Sequence, residues 1–434
     1  MNNYHNLFPN AARTIASYNT FSQVIDLNSF EQKDFIENLG KKPDNEQRIF
    51  NVSIFRHEIA HWNDHISTLW GHTRLCLLYN ALNARANNEL QEFWRIKMYG
   101  DVCKQDTLFE YFTELHHAVN GSFHERWKAF VTAGLRFQAN GYTNAEKPIL
   151  FVSFRSNADV PIARVPISIA SILETIATLE EYKIKFQSLG FVEDIVERKR
   201  LEKLFNTDLE KLIYNSKLTL YNVVSHLTAN VMKASDIIWA LETASAIGTI
   251  VLNLPISEME KMKLAEFGSD DIDSRAAAFQ QSCDKGYVFY NLLLNLLTSK
   301  GERTYNVIDL LSSSNLSSEK NIEEQVVLSM EQNIKNLIPG PFYSRAKKLM
   351  EFGLEIFKLR GIDGRKEGFD FTPENFTTMP HIMFGDTVYD DDAFNLGATM
   401  KKLERGEEIS LAEEYFLFEY FQKKLDEFIS ICGI

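Results

Sequence analysis

The sequence predicts a mainly α-helical protein with a small β-sheet or hairpin. The chain has 434 residues, 45% of them hydrophobic, which is enough to bury a large core. Only two segments, residues 148–154 and 160–165, show a clear strand pattern, and a polar turn joins them. Apolar residues elsewhere recur mostly at helical spacing. The clearest such stripe consists of Ile169, Ile172, Leu173, Ile176 and Leu179.

Three helices are predicted before the first strand. The first runs from about Ser53, its expected N-cap, to about residue 86, and Gly71 is a weak point inside it. The second covers about residues 88–98 and the third about residues 108–119.

The second predicted strand should lie at the edge of its sheet, because Pro161 cannot donate a ladder hydrogen bond. A helix then begins near Ser168 and continues to about Tyr182. Helical patterns dominate the rest of the chain. We predict a core unit of residues 1–310 and a helical C-terminal region of residues 311–434, with one compact unit as the alternative.

Charge and composition exclude several classes of function. The net charge of −13 argues against nucleic-acid binding, which needs a basic surface, and against binding to anionic membranes. Residues 1–21 lack a signal-peptide pattern, and the most apolar window, residues 237–256, is better explained as a buried helix than as a membrane span. The four cysteines are scattered and form no C-x-x-C motif. We therefore expect a cytoplasmic protein with reduced thiols.

One motif carries a chemical mechanism, the H-E-x-x-H sequence at residues 57–61. On a helix, His57 and His61 lie on one face, about 6 Å apart along the axis, so their imidazoles can hold one zinc ion. Glu58 lies beside them, where a carboxylate can act as general base towards a water molecule. The sequence thus predicts zinc as the cofactor. The alternative is a helix whose two histidines face a polar interior without a metal.

A zinc site of this kind needs a third protein ligand, and the sequence offers three possibilities. His65 lies one turn beyond His61, but three residues at this spacing on one helix spread along about 12 Å, too far to meet at one ion. We therefore expect His65 near the site but not as a ligand. Glu174 on a later helix is the second possibility, and Glu114 or His117 is the third.

Glu174 occupies a favourable position on its predicted helix, at the margin of the apolar stripe that should bind this helix to the protein core. Glu180 and Glu181 lie further along the same helix, where we expect greater exposure to solvent. The alternative for Glu174 is a helix carboxylate that binds no metal and is paired with a lysine or arginine.

Several segments together resemble the gluzincin type of zinc metallopeptidase, in particular poorly characterised bacterial zincin-like proteins with H-E-x-x-H on one helix and E-x-x-A on another. The resemblance rests on residues 57–61, on residues 66–71, on the two predicted strands, and on residues 171–177 with the sequence SILETIA. It covers about residues 50–185. It implies a zincin-like core in which zinc is held by His57, His61 and Glu174, with Glu58 as general base.

The resemblance also implies an activity, the hydrolysis of peptide bonds in a protein or peptide substrate, by an endopeptidase rather than an exopeptidase. Tyr182, Tyr221 and His226 are candidates for stabilising the oxyanion, with a purely structural role as the alternative for each. The strand near Val160 could receive an extended substrate by strand addition. The C-terminal helices could bind a protein partner or regulator.

Two other classes of function stay open at this point. Carboxylate-bridged di-iron proteins use two E-x-x-H motifs and two further glutamates, and this chain has E-x-x-H at residues 58–61 and 114–117, with Glu174 or Glu242 as a further ligand. Metal analysis separates a zinc enzyme, which would contain one zinc ion, from a di-iron protein, which would contain two irons. The third class is a non-catalytic zincin-like protein that serves as an interaction module.

Overall fold

The structure is a computed structural model, and it describes residues 15–107, 113–137, 142–300, 305–366, 379–388 and 394–432. Helices dominate these residues, which confirms the prediction of a mainly helical protein with a small β component. None of the described helices combines the length and the apolar character that a membrane span requires.

The helices, in chain order, are α1 (Gln32–Leu39), α2 (Glu46–Ser67), α3 (Leu69–Asn87), α4 (Glu92–Thr107), α5 (Ile169–Ser188), α6 (Ile195–Ile213), α7 (Thr219–Val231), α8 (Ile237–Asn253), α9 (Ile256–Lys261), α10 (Asp270–Asp273), α11 (Ala276–Gln281), α12 (Lys285–Lys300), α13 (Val307–Ser313), α14 (Glu319–Lys335), α15 (Tyr343–Arg360), α16 (Leu396–Glu404) and α17 (Leu411–Cys432). The strands are β1 (Ser17–Tyr18), β2 (Ile25–Leu27), β3 (Glu114–Leu115), β4 (Lys128–Phe137), β5 (Thr143–Arg155), β6 (Pro161–Pro166) and β7 (Ile382–Phe384).

The helix that carries the H-E-x-x-H motif begins earlier than predicted. Its N-cap is Asn45 rather than Ser53, because the Asn45 side chain accepts hydrogen bonds from the backbone N–H groups of Gln47 and Arg48. Ser53 instead lies inside α2, where its hydroxyl donates to the carbonyl of Phe50. The motif therefore lies in the middle of a long helix, where the backbone is held on both sides.

The predicted continuation of this helix to residue 86 is wrong, because the helix is interrupted at Thr68. Thr68 has an extended backbone, and its hydroxyl accepts from the N–H of Gly71 and donates to the carbonyl of Asp64. This side chain ends α2 and caps α3 at the same time. Gly71 permits the tight connection, since a β-carbon there would overlap the backbone carbonyl of His65.

The larger sheet is antiparallel, with the strand order β3-β6-β5-β4. The predicted strand pair is confirmed in β5 and β6, but the prediction that the second strand lies at an edge is wrong. The two residues of β3 pair with Ala163 and Arg164, and the backbone amides of His116 and His117 both donate to the carbonyl of Ile162. This edge of β6 is thus already engaged where strand addition by a substrate was predicted.

The prediction of a third helix is also wrong, because Glu114 and Leu115 form β3, which pairs with β6. Residues 108–112, the start of that predicted helix, lie outside the described residues. Short strands of this kind form through tertiary pairing rather than through their own sequence pattern, so periodicity alone does not reveal them.

A second, three-stranded sheet joins distant parts of the chain. In it β2 pairs with β1 in antiparallel and with β7 in parallel orientation. Ile25 and Leu27 point into the protein core, so the intervening Asp26 lies on the opposite face of the sheet. This sheet packs against α2, where Tyr18 donates or accepts a hydrogen bond with the His65 ring.

The helical core is built around α2 and α5, which pack against each other along much of their lengths. Helices α3 and α15 also pack on α2, while α7 and α8 pack on α5. Helices on both sides of the predicted boundary at residue 310 share one hydrophobic cluster, to which α14 contributes Ile322 and Val326. The division into two regions stays a prediction.

Helix α15 approaches α2 so closely that only glycine fits at one contact, and this gives a test of the packing. A β-carbon at Gly353 would overlap the backbone carbonyl of Ile66. We expect Gly353→Ala to lower the free energy of unfolding by about 1–3 kcal/mol, because a backbone carbonyl cannot move aside as a flexible side chain does. Urea unfolding followed by circular dichroism measures the change. Gly190→Ala is the control, since a β-carbon there meets nothing within 4 Å, and equal effects of the two substitutions would contradict this packing.

Candidate metal centre

The contact between α2 and α5 follows from the sequence of both helices. Helix α5 begins at Ile169 with Ser168 as its N-cap, close to the predicted start, and Ser168 and Ser171 form a capping box. The apolar stripe of α5, including Ile172 and Ile176, is buried in the core. Glu174 lies at the margin of this stripe with a side chain that is 16% exposed, and it faces α2. The two helices that the resemblance to gluzincins implies to share a site do pack against each other.

Three side chains meet at this contact. The Nε2 atom of His57 lies 3.4 Å from one carboxylate oxygen of Glu174, and the Nε2 atom of His61 lies 3.7 Å from the other. The two imidazole rings have centroids 4.8 Å apart and are inclined at 80° to each other. The carboxylate thus lies between two nitrogen atoms that point to the same small volume.

The donor set fits a zinc ion. One ligand atom from each of His57, His61 and Glu174 can be chosen so that all three lie within 4.8 Å of one another. Two ligands that each lie about 2.1 Å from a tetrahedral ion are about 3.4 Å apart, close to the His–Glu distances found here. Two imidazoles with one carboxylate is also a ligand set of catalytic zinc sites, which keep a fourth position open. The widest separation in the group, which is within 4.8 Å, would have to shorten for the three groups to close on one ion.

The electrostatics of the histidine pair show that the cluster favours a cation. Burial lowers the pKa of His57, but its contacts with Glu174 and Glu181 outweigh burial and hold that pKa well above its usual value. Burial, and then the charge on His57, hold the pKa of His61 well below its usual value. The carboxylates around His57 thus favour a positive charge at this point, which is also the charge that a divalent ion would supply.

Glu58 is almost completely buried beside the two histidines, with 6% of its surface exposed. Burial raises its pKa to about 7, although the charge on His57 acts in the opposite direction, and the neighbouring carboxylates of Glu174, Glu181 and Asp26 raise the pKa further. A carboxyl group with a pKa near neutrality is well suited to accept and return a proton.

A further carboxylate, that of Glu181, contacts His57 at the ring nitrogen opposite the one that faces Glu174. Its Oε2 atom lies 3.3 Å from the Nδ1 atom of His57, and its Oε1 atom accepts from the Lys185 ammonium at 2.5 Å. The expectation that Glu181 and Glu180 are exposed is wrong, since their side chains are 12% and 16% exposed, and Glu180 pairs with Arg56. The signal was present in the sequence: Glu181 lies seven residues after Glu174, which returns it to nearly the same helix face.

His65 is not one of the converging ligands. The ring is 1% exposed, its Nδ1 atom is hydrogen-bonded to the Tyr18 hydroxyl at 2.8 Å, and Trp70 packs against it. This agrees with the expectation from helix geometry that a third histidine on one helix does not reach the same ion. The role of His65 is to join α2 to β1.

The three candidates for oxyanion stabilisation have other contacts. Tyr182 belongs to the main hydrophobic cluster and lies under the Lys185 ammonium. His226 is stacked on Trp127, and its Nε2 atom is hydrogen-bonded to the carbonyl of Ile213. Burial lowers the pKa of His226 to about 4, so the ring is neutral. Tyr221 is half-buried on α7. The contacts described for Tyr182 and His226 do not involve the histidine pair.

The second E-x-x-H motif does not form a site with the first. Glu114 and His117 lie in and next to β3, not on a helix, and His117 is hydrogen-bonded to the carbonyl of Pro161. Glu242 lies on α8. Across the described part of the chain, one group of three or more His, Cys, Asp or Glu side chains converges closely enough to hold a metal, and it contains none of these three residues.

The contact between Glu181 and His57 predicts an effect on metal affinity. A carboxylate behind a ligating histidine fixes the ring orientation and strengthens its electron donation, so we expect Glu181→Gln to weaken zinc binding about 10- to 100-fold. Competition with a chromogenic zinc chelator measures the affinity. Glu180→Gln is the matched control, because Glu180 pairs with Arg56 instead. Equal affinities of the two variants would show that Glu181 does not orient His57.

Comparison with known proteins identifies no relative of this chain. No protein-family model, no curated protein and no solved structure matches the chain. The resemblance to gluzincins therefore stays a prediction that rests on the residues of the candidate metal centre.

Proposed function

We propose that the chain is a zinc-dependent metallopeptidase that cleaves internal peptide bonds of a protein or peptide substrate. The observation that carries this proposal is the convergence of two imidazole nitrogens and one carboxylate beside a buried glutamate. His57, His61 and Glu174 would hold the metal. Glu58, next to them on α2, would act as the general base.

Each residue has a definite task in this proposal. Bound zinc would supply a Lewis acid that acidifies a water molecule and polarises the substrate carbonyl. Glu58 would take a proton from the attacking water and then give it to the leaving amine, a transfer that is most efficient when the pKa of the carboxyl group lies near the operating pH. The pKa of about 7 that burial gives to Glu58 suits this exchange. Glu181 keeps the His57 ring in the orientation that points Nε2 inwards.

The other classes of function are less well supported. A di-iron centre needs the second E-x-x-H motif on a helix near the first, and Glu114 lies instead in β3. A purely structural metal site needs no carboxylate at position 58, and burying one costs free energy. The enzyme is therefore the better proposal. A cytoplasmic location, and a protein partner bound through the C-terminal helices, are further proposals that rest on composition and on the amount of helical chain after residue 310.

A direct experiment tests the proposal. We expect the purified chain to contain about one zinc ion, measured by mass spectrometry, and to cleave members of a mixed peptide library. Treatment with a chelator should stop cleavage, and added zinc should restore it. Two irons per chain would favour the di-iron class, and a zinc-loaded chain that cleaves no peptide or protein would favour the interaction module.

A further inference from the structure

The larger sheet ends in a long edge strand, β4 (Lys128–Phe137). The opposite edge of the sheet is β3, which has two residues, whereas β4 has ten. In the described part of the chain β4 pairs only with β5, and although helices α7 and α10 approach it, no segment other than β5 forms a hydrogen bond with its backbone. About half of the N–H and C=O groups of an edge strand point away from its neighbour. A long edge strand is therefore a template on which another strand can be added.

The side chains of β4 point alternately to the two faces of the sheet. Those on the inner face pack against the main hydrophobic cluster and include Ala129, Val131 and Ala133. The residues between them point to the outer face, and we call these four the outer strip: Lys128, Phe130, Thr132 and Gly134. Lys128 is exposed, and the Phe130 side chain is 48% exposed. A strand added beside β4 would place every second side chain next to this strip.

A second cation, the guanidinium of Arg164, reaches the outer strip from β6. It lies over the Phe151 ring of β5, with its central carbon 3.7 Å from the ring centroid. Its Nη2 atom lies 3.5 Å from the position that a β-carbon of Gly134 would occupy. The Arg164 side chain is 30% exposed, and its other terminal nitrogen lies 3.8 Å from a Glu114 carboxylate oxygen. The strip thus has a positive charge beside Gly134 as well as at Lys128.

This basic strip belongs to a chain whose net charge is −13. The strand β4 contains two cations, Lys128 and Arg136, and no carboxylate. A second copy of β4 would bring these cations close to one another, which opposes pairing of the strand with itself. An extended segment that carries carboxylates opposite Lys128 and Gly134 has the complementary charge.

We propose that β4 binds an extended acidic segment of another polypeptide by antiparallel strand addition, with carboxylates opposite Lys128 and Gly134 and an apolar side chain opposite Phe130. Antiparallel addition continues the pattern of the sheet, in which β3, β6, β5 and β4 are all joined by antiparallel pairs. Lys128 and Arg164 supply the cations for two cross-strand pairs of opposite charge. No residue of β4 belongs to the candidate metal centre, and the binding does not depend on the proposed hydrolysis.

Fluorescence anisotropy with labelled heptapeptides tests the proposal. The acidic probe has the sequence EATVFAE, and the neutral probe, QATVFAQ, has nearly the same shape without the two charges. The full-length chain carries Glu58→Gln in every arm, so that hydrolysis cannot consume a probe. We expect the acidic probe to bind about three- to tenfold more tightly, which is the effect of two exposed pairs of opposite charge. The net charge of −13 acts in the opposite direction, so general electrostatics cannot produce this preference.

A charge exchange assigns the preference to one residue. A third probe, EATVFAK, ends in lysine in place of glutamate. The parent chain should prefer EATVFAE to EATVFAK, and Lys128→Glu should reverse this order. Lys320→Glu is the matched control, since Lys320 is 84% exposed on α14, and it should keep the order of the parent. The two probes are compared within each variant, so a partial loss of folding cannot imitate a reversal.

Two N-methylated forms of the acidic probe test the backbone contact, one methylated at its even-numbered and the other at its odd-numbered residues. In strand addition only one of these sets of N–H groups faces β4, so one form should lose binding and the other should keep it. The same behaviour of both forms, equal binding of the acidic and neutral probes, no measurable binding, or an order that Lys128→Glu does not reverse would each overturn the proposal. A parent chain that forms a dimer which Lys128→Glu dissociates, measured by analytical ultracentrifugation, would place a second copy at this edge and would overturn it as well.

Discussion

Replacing both His57 and His61 by alanine should reduce the zinc content of the purified chain from about one ion to background. The two imidazoles are two of the three side chains that converge at the candidate metal centre, and a lone Glu174 carboxylate holds zinc only weakly at neutral pH. Metal analysis by mass spectrometry gives the content, and circular dichroism shows whether α2 remains folded. Full zinc occupancy in the double variant would place the metal elsewhere in the chain.

Glu174→Ala should act in the same direction, because it removes the one ligand that comes from a different helix. We expect zinc affinity to fall at least as far as it does in Glu181→Gln, since losing a ligand costs more than losing the group that orients a ligand. Glu114→Ala is the matched control, a carboxylate that is 56% exposed and lies in β3. If Glu114→Ala lowered metal content and Glu174→Ala did not, the di-iron class would take first place.

The sequence was most informative where local periodicity decides the structure. The four-residue spacing of His57 and His61 fixes their common helix face, and the apolar stripe of α5 fixes which side of that helix meets the core. The stripe places Glu174 at the margin of the buried face of its helix, and this much needs only the helix period and the burial of apolar side chains. The choice of α2 as the helix that Glu174 approaches came from the resemblance to gluzincins.

The predictions failed where side chains or pairing between distant segments decide the structure. The side chains of Asn45 and Thr68 set the two ends of α2 through capping hydrogen bonds, and the only sequence signal near the break was the weak point at Gly71. Pairing with β6 made Glu114 part of a strand, although its neighbours resemble a helix. The sheet that joins β2 to β7 pairs Ile25 with Ile382, and no local pattern encodes a contact over such a distance in sequence.

The Glu181 contact shows a third kind of failure, in which the signal was present but was outweighed by a general rule. Glutamate side chains are usually exposed unless they are paired. Here α2 covers that face of α5, so the seven-residue spacing from Glu174 brings Glu181 to the outer side of His57. Once two helices are known to share a polar site, every charged residue at helical spacing from a ligand becomes a candidate for supporting it.

Glu58→Gln should abolish peptide hydrolysis and leave zinc content unchanged. Glutamine has nearly the same shape and fits the same buried position, but it cannot accept a proton, so the loss should appear in kcat rather than in metal binding or stability. Removing a general base costs about 10²- to 10⁴-fold in rate. Peptide cleavage under saturating substrate measures kcat, and metal analysis of the same sample measures zinc.

Two comparisons make this result decisive. Glu180→Gln removes a partly buried carboxylate that pairs with Arg56, away from the histidines, and should keep both activity and zinc. Glu58→Asp keeps a proton acceptor but withdraws it by one methylene, so its kcat should lie between those of the wild type and Glu58→Gln. If Glu58→Gln cleaved a peptide as fast as the wild type, Glu58 would not be the base, and its burial beside His57 and His61 would have to serve the fold of α2 instead.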